Sequence, residues 1–186
     1  MLLDNICNVE DQINANLYES GVYYLTGEIN QFSTSTLVKW IISENAQLKP
    51  KKELTIYINS IGGDLYDAFA VIDLMKLSSI PIKTIGIGSL MSAAFLIFIS
   101  GAKGGRIITK NTSIMSHQFT TSYEGKEHDI KSSEREVRLI KQRMLDIIKE
   151  NTSMDERTIK RKLLPPSDVW LTAQECLELG VADFVR

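Results

Sequence analysis

The chain has 186 residues, enough for one well-cored domain, and a formal net charge of −2. That balance argues against nucleic-acid steering and against a polybasic membrane patch. Two cysteines, Cys7 and Cys176, make no disulfide framework, so a reducing cytoplasm is the simpler setting. Asp4, Glu10 and Asp11 with no basic n-region do not read as a secretory signal. The longest apolar run, Met91 to Ile99, falls short of the about 20 residues that span a bilayer.

Along the chain, Val22 to Leu25 predicts a strand. Thr34 to Glu44 predicts a helix with Leu37, Trp40 and Ile41 on one face. Leu54 to Asn59 predicts a second strand, closed by Ser60-Ile61-Gly62-Gly63. Asp64 is placed to cap the next helix, whose Leu65, Phe69, Ile72 and Met75 have helical spacing. Pro81 ends it, and Ile82 to Ile87 predicts a third strand. Ala93 to Ser100 reads as a short buried helix, and Arg106 to Thr109 and Ser113 to Ser116 as strands. Glu127 to Glu150 reads as a long charged helix with Val137, Ile140, Met144, Ile147 and Ile148 in one stripe. Thr172 and Glu175 form a capping box for a last helix. No repeat or linker interrupts this run, and alternating strands and helices predict a single α/β domain.

Three residues have settings that suit nucleophilic catalysis. Ser92 lies between a β-branched run and a short apolar helix. His117 ends Ser113-Ile114-Met115-Ser116, and Asp168 follows Pro165-Pro166. A serine hydroxyl needs a base to take its proton, and the base needs a carboxylate to fix its tautomer. On spacing alone Ser92 is more simply a small residue that lets helix and sheet approach, and Ser89 is a rival. His128 is better explained as part of a solvated helix start, and loop aspartates such as Asp168 are common. Gly62-Gly63 serves either as a plain turn or as a close backbone approach to a substrate. The segment from Gly101 to Arg106 lacks the Gly-Lys-Ser/Thr ending of a phosphate loop and reads as a turn. No cysteine–histidine cluster has metal-ligand spacing, so no metal is expected.

Several separated blocks resemble one family. They are Tyr23-Tyr24-Leu25-Thr26-Gly27-Glu28, Tyr57-Ile58-Asn59-Ser60-Ile61-Gly62-Gly63, Met91-Ser92-Ala93, Gly101-Ala102-Lys103-Gly104 and Met115-Ser116-His117-Gln118. Asp168-Val169-Trp170-Leu171-Thr172-Ala173 and Leu179-Gly180-Val181-Ala182-Asp183 complete them. This pattern is similar to the proteolytic subunits of Clp protease (ClpP). The resemblance covers residues 17–186. Residues 1–16 match poorly and are expected to be a divergent N-terminal segment at an axial pore.

The resemblance implies an α/β ClpP/crotonase-like fold of stacked ββα units with a protruding handle helix. It implies a serine endopeptidase with Ser92 as nucleophile, His117 as base and Asp168 as orienting carboxylate. The amides of Gly62 and Ala93 would form the oxyanion hole. Gly63, Asp64 and Leu65 on one side and Gln118, Phe119 and Thr120 on the other would flank the peptide as strands. The implied partners are further copies of the chain, in seven-membered rings stacked in pairs. An AAA+ unfoldase ATPase would deliver unfolded polypeptides and would itself use the ATP, so this chain needs no cofactor. Tyr24 and Tyr57 stand where members expose pockets for the ATPase, with core packing as the alternative. Two other readings share features of the pattern: a phage-type maturation protease that acts without an ATPase, and a crotonase-type acyl-CoA enzyme. The chain departs from the family at Phe119, where proline is usual, and at Ser167, where many members carry arginine. That arginine links assembly to the site through a charged ring–ring contact. With serine there, ring stacking is expected to rest on Val137, Ile140, Met144 and Ile147 and to be insensitive to salt.

Overall fold

The computed structural model of the chain describes residues 9–186. Helix α1 (Val9–Glu19) leads into β1 (Val22–Ile29), α2 (Gln31–Asn45), β2 (Leu54–Gly63), α3 (Leu65–Leu77), β3 (Ile82–Met91) and α4 (Ala93–Ile99). Next come β4 (Arg106–Ile108), β5 (Ser113–Ser116), the long α5 (Glu127–Asn151) and α6 (Glu156–Lys162). β6 (Val169–Leu171), α7 (Ala173–Glu178) and β7 (Phe184–Val185) follow. The strands join one sheet in the order β1-β2-β3-β4-β7, all parallel. β5 runs beside the second half of β3, and β6 pairs with β5 antiparallel. Parallel strands joined by helices are the expected α/β architecture.

The predicted elements form, with two systematic differences. First, β1, β2 and β3 each run about four residues beyond their predicted ends at Leu25, Asn59 and Ile87. The extensions contain Gly27, Gly62-Gly63 and Gly88, whose local propensity opposes a strand. Ladder pairing with neighbours overrides that preference, at the cost of register shifts between Thr26 and Glu28 and between Ile58 and Ser60. At the second shift Asn59 fills the gap: its Oδ1 accepts the Ser89 N–H at 2.9 Å. Second, two short polar helices were not predicted. One is α6, capped by Asp155 on the Thr158 N–H. The other is α1, which runs across the expected segment boundary at residue 16. α1 docks by stacking Tyr18 on the buried Tyr23, 5.4 Å between ring centres, next to Trp40. The remainder of the expected N-terminal segment lies outside the described residues.

Helix α4 decides the layout of the core. All seven of its residues are buried, so it needs cover on every side. The sheet covers one side and α3 another, and the C-terminal half of α5 closes a third. This corrects the expectation about the apolar stripe. Ile140, Met144, Ile147 and Ile148 are buried inside their own domain, and of the residues expected to carry ring stacking only Val137 is half-exposed. From residue 127 to 139 every α5 position is exposed or half-exposed, so the N-terminal half stands off the core as a charged handle. On β1 and β2 the alternation between the two faces of the sheet is equally clear. Tyr23, Ile56 and Ile58 point into the core, while Tyr24 is exposed and Tyr57 half-buried. Neither Tyr24 nor Tyr57 is therefore spent on core packing. Among the described residues no helix is long and apolar enough to cross a membrane.

Candidate active site

Three neighbouring strands, β2, β3 and β5, end and a fourth, β6, begins along one margin of the sheet, and each delivers one part of the site. β3 delivers Ser92. Its N–H donates to Met115 O at 2.9 Å, the last rung of the β3–β5 ladder, and its own carbonyl accepts Leu96 N–H, the first bond of α4. The chain passes from strand to helix within this one residue. Ser92 consequently holds φ 53° and ψ −121°, the only positive φ at a non-glycine among the described residues. Such a conformation costs about 1–3 kcal/mol and persists where the surroundings over-determine it. It projects the side chain out of the turn, as at the nucleophile of a strand–turn–helix elbow.

β5 lies between β3 and β6 and carries His117 just past its end. His117 Nε2 is 2.7 Å from Ser92 Oγ. β6 runs antiparallel, so its start lies at the same edge and brings in Asp168. Asp168 Oδ1 is 3.4 Å from His117 Nδ1. A proton on Nδ1 facing Asp168 leaves Nε2 free to accept the proton of Ser92. The Asp168 side chain is 58 % exposed and the contact is long, so the carboxylate steers the ring without enclosing it. Cys176, the described cysteine, is no rival nucleophile: burial pushes its thiol up to about 12.

β2 delivers Gly62. A Cβ there would lie 2.7 Å from both Met91 O and Ser92 Cβ and 3.0 Å from Ala93 N, so only glycine allows this approach. Its φ of +93° makes the same demand. Ala93 opens α4, so its amide has no carbonyl one turn back to bond. Gly62 and Ala93, the expected oxyanion donors, thus lie close to Ser92, but the glycine that lines the cavity beside Ser92 is Gly63. The Gly62 N–H donates to the buried Ser60 Oγ at 3.1 Å.

A cavity of about 460 Å³ opens beside Ser92 and His117. Of the residues expected to flank a peptide, Gly63, Asp64, Leu65, Phe119 and Thr120 line it. Two expectations need correction. Leu65 and Asp64 are not strand residues: Asp64 caps α3 through the Tyr66 and Asp67 N–H groups, and Leu65 is the first helical position. The Asp64 carboxylate draws the chain into a helix as soon as Gly63 leaves the sheet. Gln118 lies outside the cavity. Its Nε2 donates to Leu164 O, and it lines a neighbouring cavity of about 480 Å³ with Pro165, Pro166 and Met144. Gln118, Phe119 and Thr120 form no strand in the free chain.

The cavity also has walls that sequence reasoning missed, namely Tyr66, Thr121, Tyr123 and Ile140. Tyr66 Oη donates to Glu136 Oε1 at 3.1 Å, tying α3 to the handle. Partial burial and then this bond to Glu136 raise the phenol above its ordinary range. No spacing in the sequence relates Tyr66 to Glu136, 70 residues apart. No group of three or more metal-ligating side chains occurs among the described residues.

A serine in a strained strand–helix turn, bonded to a histidine with a carboxylate behind it, is an arrangement that suits hydrolysis through an acyl intermediate. The match with known proteins is narrower. A model of the Clp protease family matches residues 7–186, beginning before the expected boundary at residue 17. The chain belongs to the Clp protease family and is a peptidase of that family.

Proposed function

We propose that the chain is a serine endopeptidase in which Ser92, His117 and Asp168 act as a triad. The observation that carries this reading is the 2.7 Å contact between Ser92 Oγ and His117 Nε2. Ser92 Oγ attacks the peptide carbonyl while His117 takes its proton. The carbonyl oxygen becomes an oxyanion that accepts from the Gly62 and Ala93 amides. The tetrahedral adduct collapses, the C–N bond breaks, and His117 returns the proton to the leaving amine. Water then enters by the same route and releases the acyl group from Ser92. No step requires a metal or a bound cofactor.

Fluorophosphonate labelling tests this directly. The wild-type chain should carry one adduct, mapped to Ser92, and an adduct elsewhere would remove the triad. Asp168→Asn should keep the labelling site but lower kcat by between about 10² and 10⁴. A buried orienting aspartate sits at the upper end of that range, and the exposure of Asp168 favours the lower. A loss under threefold would separate Asp168 from the mechanism.

The family membership supports a ring-shaped chamber supplied with unfolded chains by an AAA+ ATPase, with cytoplasmic residence. The exposed Tyr24 and half-buried Tyr57 suit a docking surface for that partner. Because most of the apolar stripe is spent internally, stacking of rings falls to the half of the handle that stands off the core, with Glu127, Lys131, Glu134, Arg135 and Arg138. Sedimentation should therefore give a mass of many chains at low salt, and the assembly should loosen as salt rises. Equal sedimentation at 0.05 and 1 M salt would show that charge does not hold the rings.

A further inference from the structure

A groove of about 540 Å³ runs between α3 and α5, next to the cavity that holds Ser92. Its walls follow helical spacing on both sides, with Tyr66, Phe69 and Asp73 on α3 and Arg143 and Ile147 on α5. Tyr66 lies in the first turn of α3. Of the described residues it is the one that lines both the groove and the cavity beside Ser92. Its hydroxyl is held from the opposite helix. Glu136 Oε1 accepts from Tyr66 Oη at 3.1 Å and from Arg143 Nη1 at 3.3 Å. The Arg143 guanidinium in turn lies over the Phe69 ring, 5.9 Å from its centre. Tyr66 is thus pinned by α5, through a carboxylate whose other partner is anchored back on α3.

We propose that Tyr66 is a specificity-determining residue whose ring closes the site cavity off from the α3–α5 groove and so limits the length of the substrate side chain accepted beside Ser92. The proposal rests on the triad reading, because Ser92 marks where the peptide carbonyl lies. The residue whose carbonyl Ser92 attacks carries its side chain on the adjacent carbon, so that side chain enters the cavity lined by Ser92 and His117. Leu65, Phe119 and Ile140 make apolar walls there and suit an apolar side chain. A side chain longer than the cavity runs into Tyr66. The groove beyond would take the excess, but the ring stands between. Without its bond to Glu136 the ring could turn to another rotamer at little cost. The bond makes the boundary firm. Tyr66 is 54 % exposed, so its removal opens a passage without unpacking the core.

The test compares kcat/KM for two fluorogenic peptides that differ only in the residue before the scissile bond, leucine in one and biphenylalanine in the other. Tyr66→Ala joins cavity and groove, and the biphenylalanine-to-leucine ratio should rise at least about 10-fold over wild type, the scale on which apolar fit in a pocket discriminates. Tyr66→Phe keeps the ring and loses the bond to Glu136. Its ratio should rise less, about 2- to 4-fold, the worth of one modest hydrogen bond. Glu136→Ala releases the same ring and should match Tyr66→Phe. A general loss of activity cancels in the ratio, so a merely structural role for Tyr66 would leave the ratio where it was.

An unchanged ratio in Tyr66→Ala, or a rise no larger than that of Tyr66→Phe, would overturn the proposal. If Tyr66→Ala does not fold, Tyr66→Val, which also lacks a ring, decides by the same criterion. Fluorophosphonate mapping separates the two levels of the argument. A wild-type chain that takes no label at Ser92 removes the triad and the specificity reading together. A labelled wild type whose ratio does not respond to loss of the Tyr66 ring removes the role of Tyr66 alone.

Discussion

Ser92→Ala is expected to lower kcat toward small peptides by about 10⁶, the loss seen when the nucleophile of such a unit is removed. Fluorophosphonate labelling should vanish with it. Folding should survive, because alanine meets the same backbone constraint at φ 53° as serine does. No hydrogen bond of the Ser92 side chain other than the one to His117 anchors the turn. The pair of readouts is thermal unfolding within a degree or two of wild type and hydrolysis at background. Substantial hydrolysis by a pure Ser92→Ala preparation would exclude this site as the catalytic one.

The largest effect on stability is expected far from the site. Arg106 is 4 % exposed and forks onto Asp183, with Nη2 to Oδ1 at 2.6 Å and Nε to Oδ2 at 3.0 Å. Asp183 Oδ2 also accepts the Gly104 and Arg106 N–H groups, and Arg106 Nη1 donates to Asn151 O at 2.7 Å. The network joins the loop before β4, the end of α5 and the turn before β7. Asp183→Ala leaves a buried guanidinium without its counter-charge, which costs about 3–5 kcal/mol. For a chain of this length the melting temperature should fall by about 10 °C. A fall below 2 °C, at equal protein concentration, would show that the pair is not structural.

The same network predicts a pH dependence. Burial pushes the Asp183 carboxyl up, but the bonds from Arg106 and its charge outweigh that and hold it below the usual carboxylate range. A folded-state pKa below the unfolded one gives stability that is complete above the unfolded value, about 4. It is lost as pH falls through the folded value. The difference in unfolding free energy between wild type and Asp183→Ala should therefore be largest near neutrality and shrink below about pH 4. A constant difference across that window would contradict the assignment.

The sequence by itself determined the class of fold and singled out the residues of the candidate site. Apolar and β-branched runs mark β1, β2 and β3, and helical spacing marks α2, α3 and α5. Capping residues state where helices begin: Asp64 and Thr172 do in the structure what their positions predict. Ser92, His117 and Asp168 stood out through their settings and the family pattern, and they lie within reach of one another. Other features depended on which strands become neighbours, which local propensity does not encode. The four glycine-bearing residues at the end of β1, β2 and β3 read as loop, because the ladders that hold them are non-local. The antiparallel run of β6 carries Asp168 to the edge that Ser92 and His117 share, and three residues of strand give no advance sign of that. The stripe on α5 was legible as apolar, but its partner was not. Only the packing shows that α4, buried on all sides, claims it and leaves the charged half of the handle outside. Ser60, Tyr66 and the Arg106–Asp183 pair were silent for the same physical reason. A buried hydroxyl, a tether across helices and a desolvated ion pair are defined by what surrounds them, and folding alone supplies those surroundings.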